Sequence, residues 1–411
     1  MPTDAAAVRV EIANLRDNER LSFPLVLVEG YVAPADAFTP RVRFIQAHLA
    51  QRATQREEHD ALFWPVVPET GHFKAFIMLP RPGKFNIQLH VQNTFVHVLK
   101  IRYTLPQTKH RARFHYQQEA NATRGFDAPA SVDNSDAAAL KRIQLTALLT
   151  QTCLAEMYHK QGLGRATIAL EFDDSPNRQM PKIGLLETAG DDDDLIYQIS
   201  DALDVQEAAA REEEIHLKHF VIVGSTHYDR ETRSTLGHTA RSYRNIAAFS
   251  SVTLHTYPSD LNELTKCCLD NTAINEAEFA DDSCERGTLW SNFATGLGVL
   301  THLFLRATPA FHGQRGGMFG RGFDNINRLL NVYEPDLSLS EPAIVSSPTS
   351  EEASSSTPPM ELNYAVLDPV GTDLHGAFVP ETSLLSLRES FPFITSLRSE
   401  SLAAKAAAGA A

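Results

Sequence analysis

Two histidines ten positions apart, His302 and His312, carry the side chains best suited to metal chemistry in this chain. The run His302-Leu303-Phe304-Leu305-Arg306-Ala307-Thr308-Pro309-Ala310-Phe311-His312 lies without a gap over the pattern H-E-x-x-H-x-x-G-x-x-H. In that pattern two histidines one helical turn apart share a zinc ion. The glutamate after the first polarises a zinc-bound water and takes its proton. The glycine lets the chain turn so that a third histidine reaches the same ion. His302 and His312 fall on the first and third ligand positions, and Met318 stands where a methionine turn would pass beneath the site. Leu303 falls on the general-base position, Arg306 on the second ligand and Pro309 on the glycine.

Those three replacements remove most of the chemistry. Leucine neither gives nor takes a proton. A protonated guanidinium cannot ligate zinc, and its charge opposes a cation at close range. Proline turns the chain but cannot adopt the positive φ open to glycine. Two histidines without a third protein ligand make a weak zinc site. Two histidines at this spacing, in a chain with 16, also arise readily by chance. Taken alone, the spacing favours two ordinary histidines; together with the family-like sequence around it, the frame predicts a vestigial metal site at His302 and His312, with zinc weak or lost and no catalytic residue.

The elements that must position this frame read in two blocks. Residues 8–103 are strand-like: Val8-Arg9-Val10-Glu11-Ile12 alternates apolar and polar, and the runs 73–79 and 85–91 flank the turn Pro80-Arg81-Pro82-Gly83-Lys84. Closely spaced strands with little helical pattern predict a β-sandwich-like domain over 1–106, in which His90 and His97 are structural. The polar stretch 107–136 reads as a linker. A helix over 137–159 follows, capped by Asp136 and stopped by Gln161-Gly162-Leu163-Gly164-Arg165. Strands at 168–172, 220–224 and 246–255 alternate with a helix over 195–214, which predicts an α/β domain over 137–335. The Ser/Pro-rich stretch at 336–359 and the Ala-rich end predict a linker and a mostly disordered tail over 336–411.

Composition removes several classes of function. Apolar residues make up 43% and charged residues 21% of the 411. A formal charge of −14 disfavours a nucleic-acid partner. No stretch approaches 18 apolar residues and the first ten positions lack a signal-like apolar region, so neither a membrane span nor secretion is expected. Four cysteines without zinc-ribbon spacing fit a reducing, cytoplasmic setting.

The sequence around the frame resembles a fungal family of zinc metallopeptidases. The resemblance rests on Gly287-Thr288-Leu289-Trp290, Gly296-Leu297-Gly298, and the run from Gly317-Met318 to Asn327-Arg328. It extends to Gln151-Thr152-Cys153-Leu154-Ala155-Glu156-Met157 with Gly162-Leu163-Gly164-Arg165, to Thr226-His227-Tyr228-Asp229, Gly237-His238, Leu254-His255-Thr256-Tyr257-Pro258 and Asp282-Ser283-Cys284-Glu285. In the first block it includes Val28-Glu29-Gly30, Phe73-Lys74-Ala75 and Pro82-Gly83. It implies a zincin-like α/β domain behind a β-rich one, hence an α+β or α/β two-domain chain. Some relatives carry a jacalin-like lectin domain, whose pattern is not expected after Pro335. Family frame and altered motif together predict a catalytically inactive pseudopeptidase that binds a protein or peptide of unknown identity. The alternatives are an active zinc peptidase recruiting His238, His255, Asp324 or a carboxylate of 281–285, and a scaffold whose first domain carries the function. His227, His238 and His255 are expected to be polar groups packing loops, with orientation of His227 by Asp229 as the functional alternative.

Overall fold

The computed structural model describes residues 8–33, 44–49, 62–91, 94–120, 125–189, 194–237, 240–308, 316–335, 364–367 and 376–395. The first block is all strand: β1 (Arg9–Ile12), β2 (Glu19–Leu21), β3 (Leu25–Ala33), β4 (Phe44–Leu49), β5 (Leu62–Pro65), β6 (His72–Met78), β7 (Gly83–Val91) and β8 (Thr94–Tyr103). Strands β1, β3 and β6 form one antiparallel sheet, and β2-β8-β7-β4-β5 form another in that order. Strands β3 and β6 are buried at nearly every position, whereas β7 and β8 alternate buried and more exposed residues. Ile45, Ile87 and Leu89 are inaccessible, and Trp64 of β5 meets Phe76 of β6 at 5.5 Å between rings.

The second block contains β9 (His110–Glu119), α1 (Asp136–Lys160), β10 (Thr167–Ile168), β11 (Ile183–Thr188), α2 (Leu195–Glu212) and β12 (His216–Val223). It continues through β13 (His227–Asp229), β14 (Ser234–Leu236), β15 (Ala240–Tyr243), β16 (Ile246–Ser250), α3 (Leu264–Leu269) and α4 (Leu289–Arg306). Its sheet has the order β11-β9-β12-β16-β15; the first four strands are parallel and β15 runs antiparallel at the edge. In β12, Phe220 and Ile222 join the main core with α1 and α4, while Val221 and Val223 join a smaller cluster under α2. A strand covered on both faces is apolar at every position, which is why 220–224 reads as a continuous apolar run.

The stretch 107–136 is not simply a linker, because β9 is an interior strand of this sheet, between β11 and β12. Its Ala112, Phe114 and Tyr116 are buried, but so are His115 and Gln117, which bond to His219 and Thr188 across neighbouring strands. Buried polar groups satisfied by sheet neighbours hide a central strand from an apolar-pattern reading. The helix cap also shifts by one: Ser135 accepts the Ala138 amide, and Asp136 instead accepts Gln118 Nε2 at 2.6 Å.

The chain ends with α5 (Asn327–Leu330), β17 (Tyr333–Pro335), β18 (Tyr364–Val366), α6 (Glu381–Ser390) and β19 (Ile394–Thr395). The Ser/Pro-rich stretch and the Ala-rich end lie outside the described residues. Within 336–411 the described residues 364–367 and 376–395 include ordered elements: Val379, Leu384 and Leu387 are fully buried, and β19 pairs with β10. Among the described residues no helix is long and apolar enough to cross a membrane.

A buried ionic network ties the two blocks together. Asn14 donates to Leu27 O and Glu156 and accepts the Glu29 amide. Glu156, 2% exposed, takes Arg165 Nε at 2.7 Å; Arg165 also reaches Glu19 and the Asn14 carbonyl. Glu29 pairs with His72 at 3.0 Å and lies 4.0 Å from Lys74. Lys74, 4% exposed, donates to the carbonyls of Arg328 and Asn331 at 2.6 and 3.2 Å. Burial pushes the Glu29 carboxyl up, but the His72 hydrogen bond and the Lys74 charge outweigh it and bring it to about 2. Burial brings the Lys74 ammonium down to about 8 against the pull of Glu29. Val28-Glu29-Gly30, Phe73-Lys74-Ala75 and the Glu156 and Arg165 segments, all singled out in the sequence, meet in this network.

Candidate metal centre

Helix α4 carries the first half of the frame. Thr288 and Ser291 close a capping box at its start, and Phe293, Leu297, Leu300 and Phe304 bury its apolar face. Its two internal glycines mark close approaches. A Cβ on Gly296 would strike the Tyr257 hydroxyl, and one on Gly298 would strike the Phe323 carbonyl. The second contact brings α4 against the turns Gly317–Phe319 and Arg321–Asn325, and this puts His302 beside Met318.

His302 is half-buried. Its Nδ1–H donates to the Met318 carbonyl at 2.5 Å, and its ring lies 4.8 Å from Phe323. With the proton on Nδ1, neutral His302 presents Nε2 as its lone-pair nitrogen, the arrangement in which metal-binding histidines are usually held. Burial lowers its pKa; the Met318 carbonyl and Asp324 oppose this, and Arg306 and Arg321 add to it. Arg306, one turn along α4, is exposed. Arg321 pairs with Asp324 at 2.7 Å, and Asp324 also accepts Thr295 Oγ1. The charges acting on His302 are thus two guanidiniums and one carboxylate that already has partners.

Leu303 is 3% exposed and packs into the main core, while its carbonyl accepts Ser242 Oγ from β15 at 2.8 Å. Met318 is fully buried within the 3-10 segment Gly317–Phe319. Pro309 and His312 lie outside the described residues, as does His238. Among the described residues no group of three His, Cys, Asp or Glu side chains is arranged to hold a metal ion. The charged groups acting on His302 are Arg306, Arg321 and Asp324.

The replacement ligands expected from sequence are spread out. His255 is half-buried beside Phe279, and burial lowers its pKa to about 4 against the opposing pull of the Asp127 backbone and charge. Asp281 accepts the Ser283 amide within its own loop. His227 is oriented by Asp127 rather than Asp229: its Nδ1 lies 3.1 Å from Asp127 Oδ1, and the hydrogen bond raises its pKa. Asp229 instead binds Glu231 N and Thr232 Oγ1. Sequence reasoning missed Asp127 because it falls in the presumed linker. It also missed a buried relay from His115 Nε2 to His219 Nδ1 at 2.8 Å and from His219 Nε2 to Glu207 at 3.1 Å. Its members, on β9, β12 and α2, are far apart in sequence, and no local spacing signals it.

Residues 9–357 match the model of the Metallopep family, described as "Putative peptidase family". The chain belongs to this family. It is similar to a "Putative zinc metalloproteinase" of Schizosaccharomyces pombe (strain 972), 23% identical over 353 residues, covering 79% of this chain and 54% of that protein. The chain thus spans about half the length of that curated relative. Among solved structures, wild-type OgpA from Akkermansia muciniphila aligns with a TM-score of 0.35 at 11% identity, over 56% of this chain and 62% of that one. An engineered protein aligns with a TM-score of 0.19 at 16% identity, over 24% and 21%. Neither likeness is high enough to carry an argument about fold.

Proposed function

We propose that this chain is a zincin-like member of its peptidase family whose metal centre has been replaced: a pseudopeptidase that serves as a binding module for a protein or peptide. One observation carries the reading. The second-ligand position is Arg306, whose charge acts on His302 and opposes a cation there. The base position supports it, since Leu303 is packed into the core and a carboxylate on that side chain would have to be desolvated. The zincin-like assignment is supported by the altered frame and by α4 lying against a mixed five-stranded sheet beside its antiparallel edge strand. The first eight strands, which form two sheets of their own, support a separate β-sandwich-like domain over 1–106.

A second reading, an active zinc peptidase with a recruited ligand, has one observation in its favour: the Nδ1–H bond of His302 to a carbonyl, which leaves Nε2 as the acceptor. Incubating the protein with a broad peptide library, with and without chelator, separates the two. No cleavage above a protein-free control is expected. Chelator-sensitive cleavage that disappears in His302→Ala would establish the second reading instead.

A further inference from the structure

Residues 376–395 lie beyond the stretch matched by the family, yet they rest on the turn that holds His302. The Met318 amide donates to the Phe378 carbonyl at 2.8 Å, and the Met318 carbonyl accepts His302 Nδ1. Met318 is therefore bonded on one side to the C-terminal segment and on the other to the frame histidine. The fit leaves no room for side chains. A Cβ at Gly317 would collide with the Phe378 carbonyl, and one at Gly322 with the Gly376 carbonyl.

From this contact the segment crosses the body of the protein. Val379 is buried, and α6 sinks Leu384 and Leu387. Its polar anchors include Tyr158 to the Leu384 carbonyl at 3.0 Å, Arg388 to the Leu163 carbonyl at 3.2 Å, and the two-residue ladder of β19 on β10. Phe391 packs edge-on to Phe304 of α4 at 5.8 Å, and Lys218 Nζ lies 5.7 Å from its ring. An extended Gly-Ala-Phe-Val-Pro stretch leading into a short amphipathic helix, seated in an apolar groove, is how peptides commonly bind.

We propose that the groove formed by residues 316–322, the C-terminal half of α4 and the end of α1 is a peptide-binding site, filled in cis by residues 376–395, and that its occupancy fixes the Met318 turn and hence His302. The occupant is the chain's own strap. A ligand supplied in trans must share its pattern: an extended stretch with one aromatic residue and a following helix with two leucines three apart. This inference does not depend on whether zinc binds at the frame.

The test uses full-length Leu384→Asp/Leu387→Asp, which should release the strap, and a fluorescent synthetic peptide spanning 374–395. Amide exchange at Met318 should rise at least tenfold in the variant while the β9 and β12 amides stay protected. Added peptide should bind the variant at micromolar concentration and restore Met318 protection, and it should bind the wild type at least tenfold more weakly, because that groove is filled. Unchanged Met318 exchange in a variant whose α6 amides exchange freely would overturn the proposal. So would equal peptide binding to both proteins. If the double variant loses protection throughout, the milder Arg388→Ala/Phe391→Ala is measured in the same way. Global loss there too would mean that the strap is inseparable from the core, which also overturns the proposal.

Discussion

Two sets of family-like residues sit in this molecule under opposite conditions. At the junction of the strand block and α1, Asn14, Glu29, His72, Lys74, Glu156 and Arg165 are buried and mutually bonded. At the frame, His302 keeps its position and its carbonyl partner, but its neighbours on α4 are a core leucine and an exposed arginine. A desolvated charge cannot lose its partner cheaply, because the remaining ion stays buried without compensation. Residues around a half-exposed histidine are under no such constraint. The contrast is consistent with the proposed exchange of chemistry at one site in a chain that keeps its buried network.

The sharpest way to break this contrast is Arg165→Ala, which strands Glu156 in the interior. Denaturant unfolding should show a loss of about 3–5 kcal/mol; a loss below about 1 kcal/mol would place the network among dispensable surface pairs. Acid titration is next. The folded Glu29 pKa of about 2 lies below its ordinary 4.5, so its stabilisation is complete above 4.5 and is lost as pH falls from there through 2. The loss should be on the order of 3 kcal/mol, and the slope should flatten in Glu29→Gln. Lys74 acts in the opposite sense at high pH. Its depressed value near 8 means that a burial cost present below pH 8 is relieved between 8 and 10.5, so stability rises with pH across that window.

Between the two regions stands Gly298, where α4 touches the Phe323 carbonyl. Gly298→Ala should cost about 1–3 kcal/mol in unfolding measurements through forced separation of helix and turn. The smallest effect is expected at the frame itself. His302→Ala removes one hydrogen bond to a carbonyl and should cost only about 0.5–1.5 kcal/mol. A loss as large as that of Arg165→Ala would show that the frame is held by something stronger than this bond.

Much of the architecture was legible where burial follows a simple period. The helix over 137–159 and the strands at 73–79, 85–91 and 220–224 correspond to α1, β6, β7 and β12. Position 246–255 was read too long: the strand stops at Ser250, where side chains of Ser250, Ser251 and Thr226 bond to one another and the backbone turns into a 3-10 segment at Leu254–Thr256. Strand β9 escaped because His115 and Gln117 are buried by virtue of partners on other strands, which no local pattern reveals. Helix α6 escaped because its buried face amounts to two leucines, Leu384 and Leu387, after a long Ser/Pro-rich stretch. At the candidate site, the frame rests on residue types and spacing, and of its positions His302, Leu303, Arg306 and Met318 are among the described residues. What Met318 contributes, a carbonyl to His302 and an amide to Phe378, depends on segments far apart in sequence.

The central claim is that the frame at His302 no longer makes a zinc centre. Its most direct test is a zinc titration of the full-length protein against a chromophoric chelator, run beside Arg306→His. Wild-type protein should show no stoichiometric tight binding, and Arg306→His should bind zinc at least tenfold more tightly, because a ligand replaces an opposing charge. One equivalent of tightly held zinc in the wild type, lost in His302→Ala, would contradict the account.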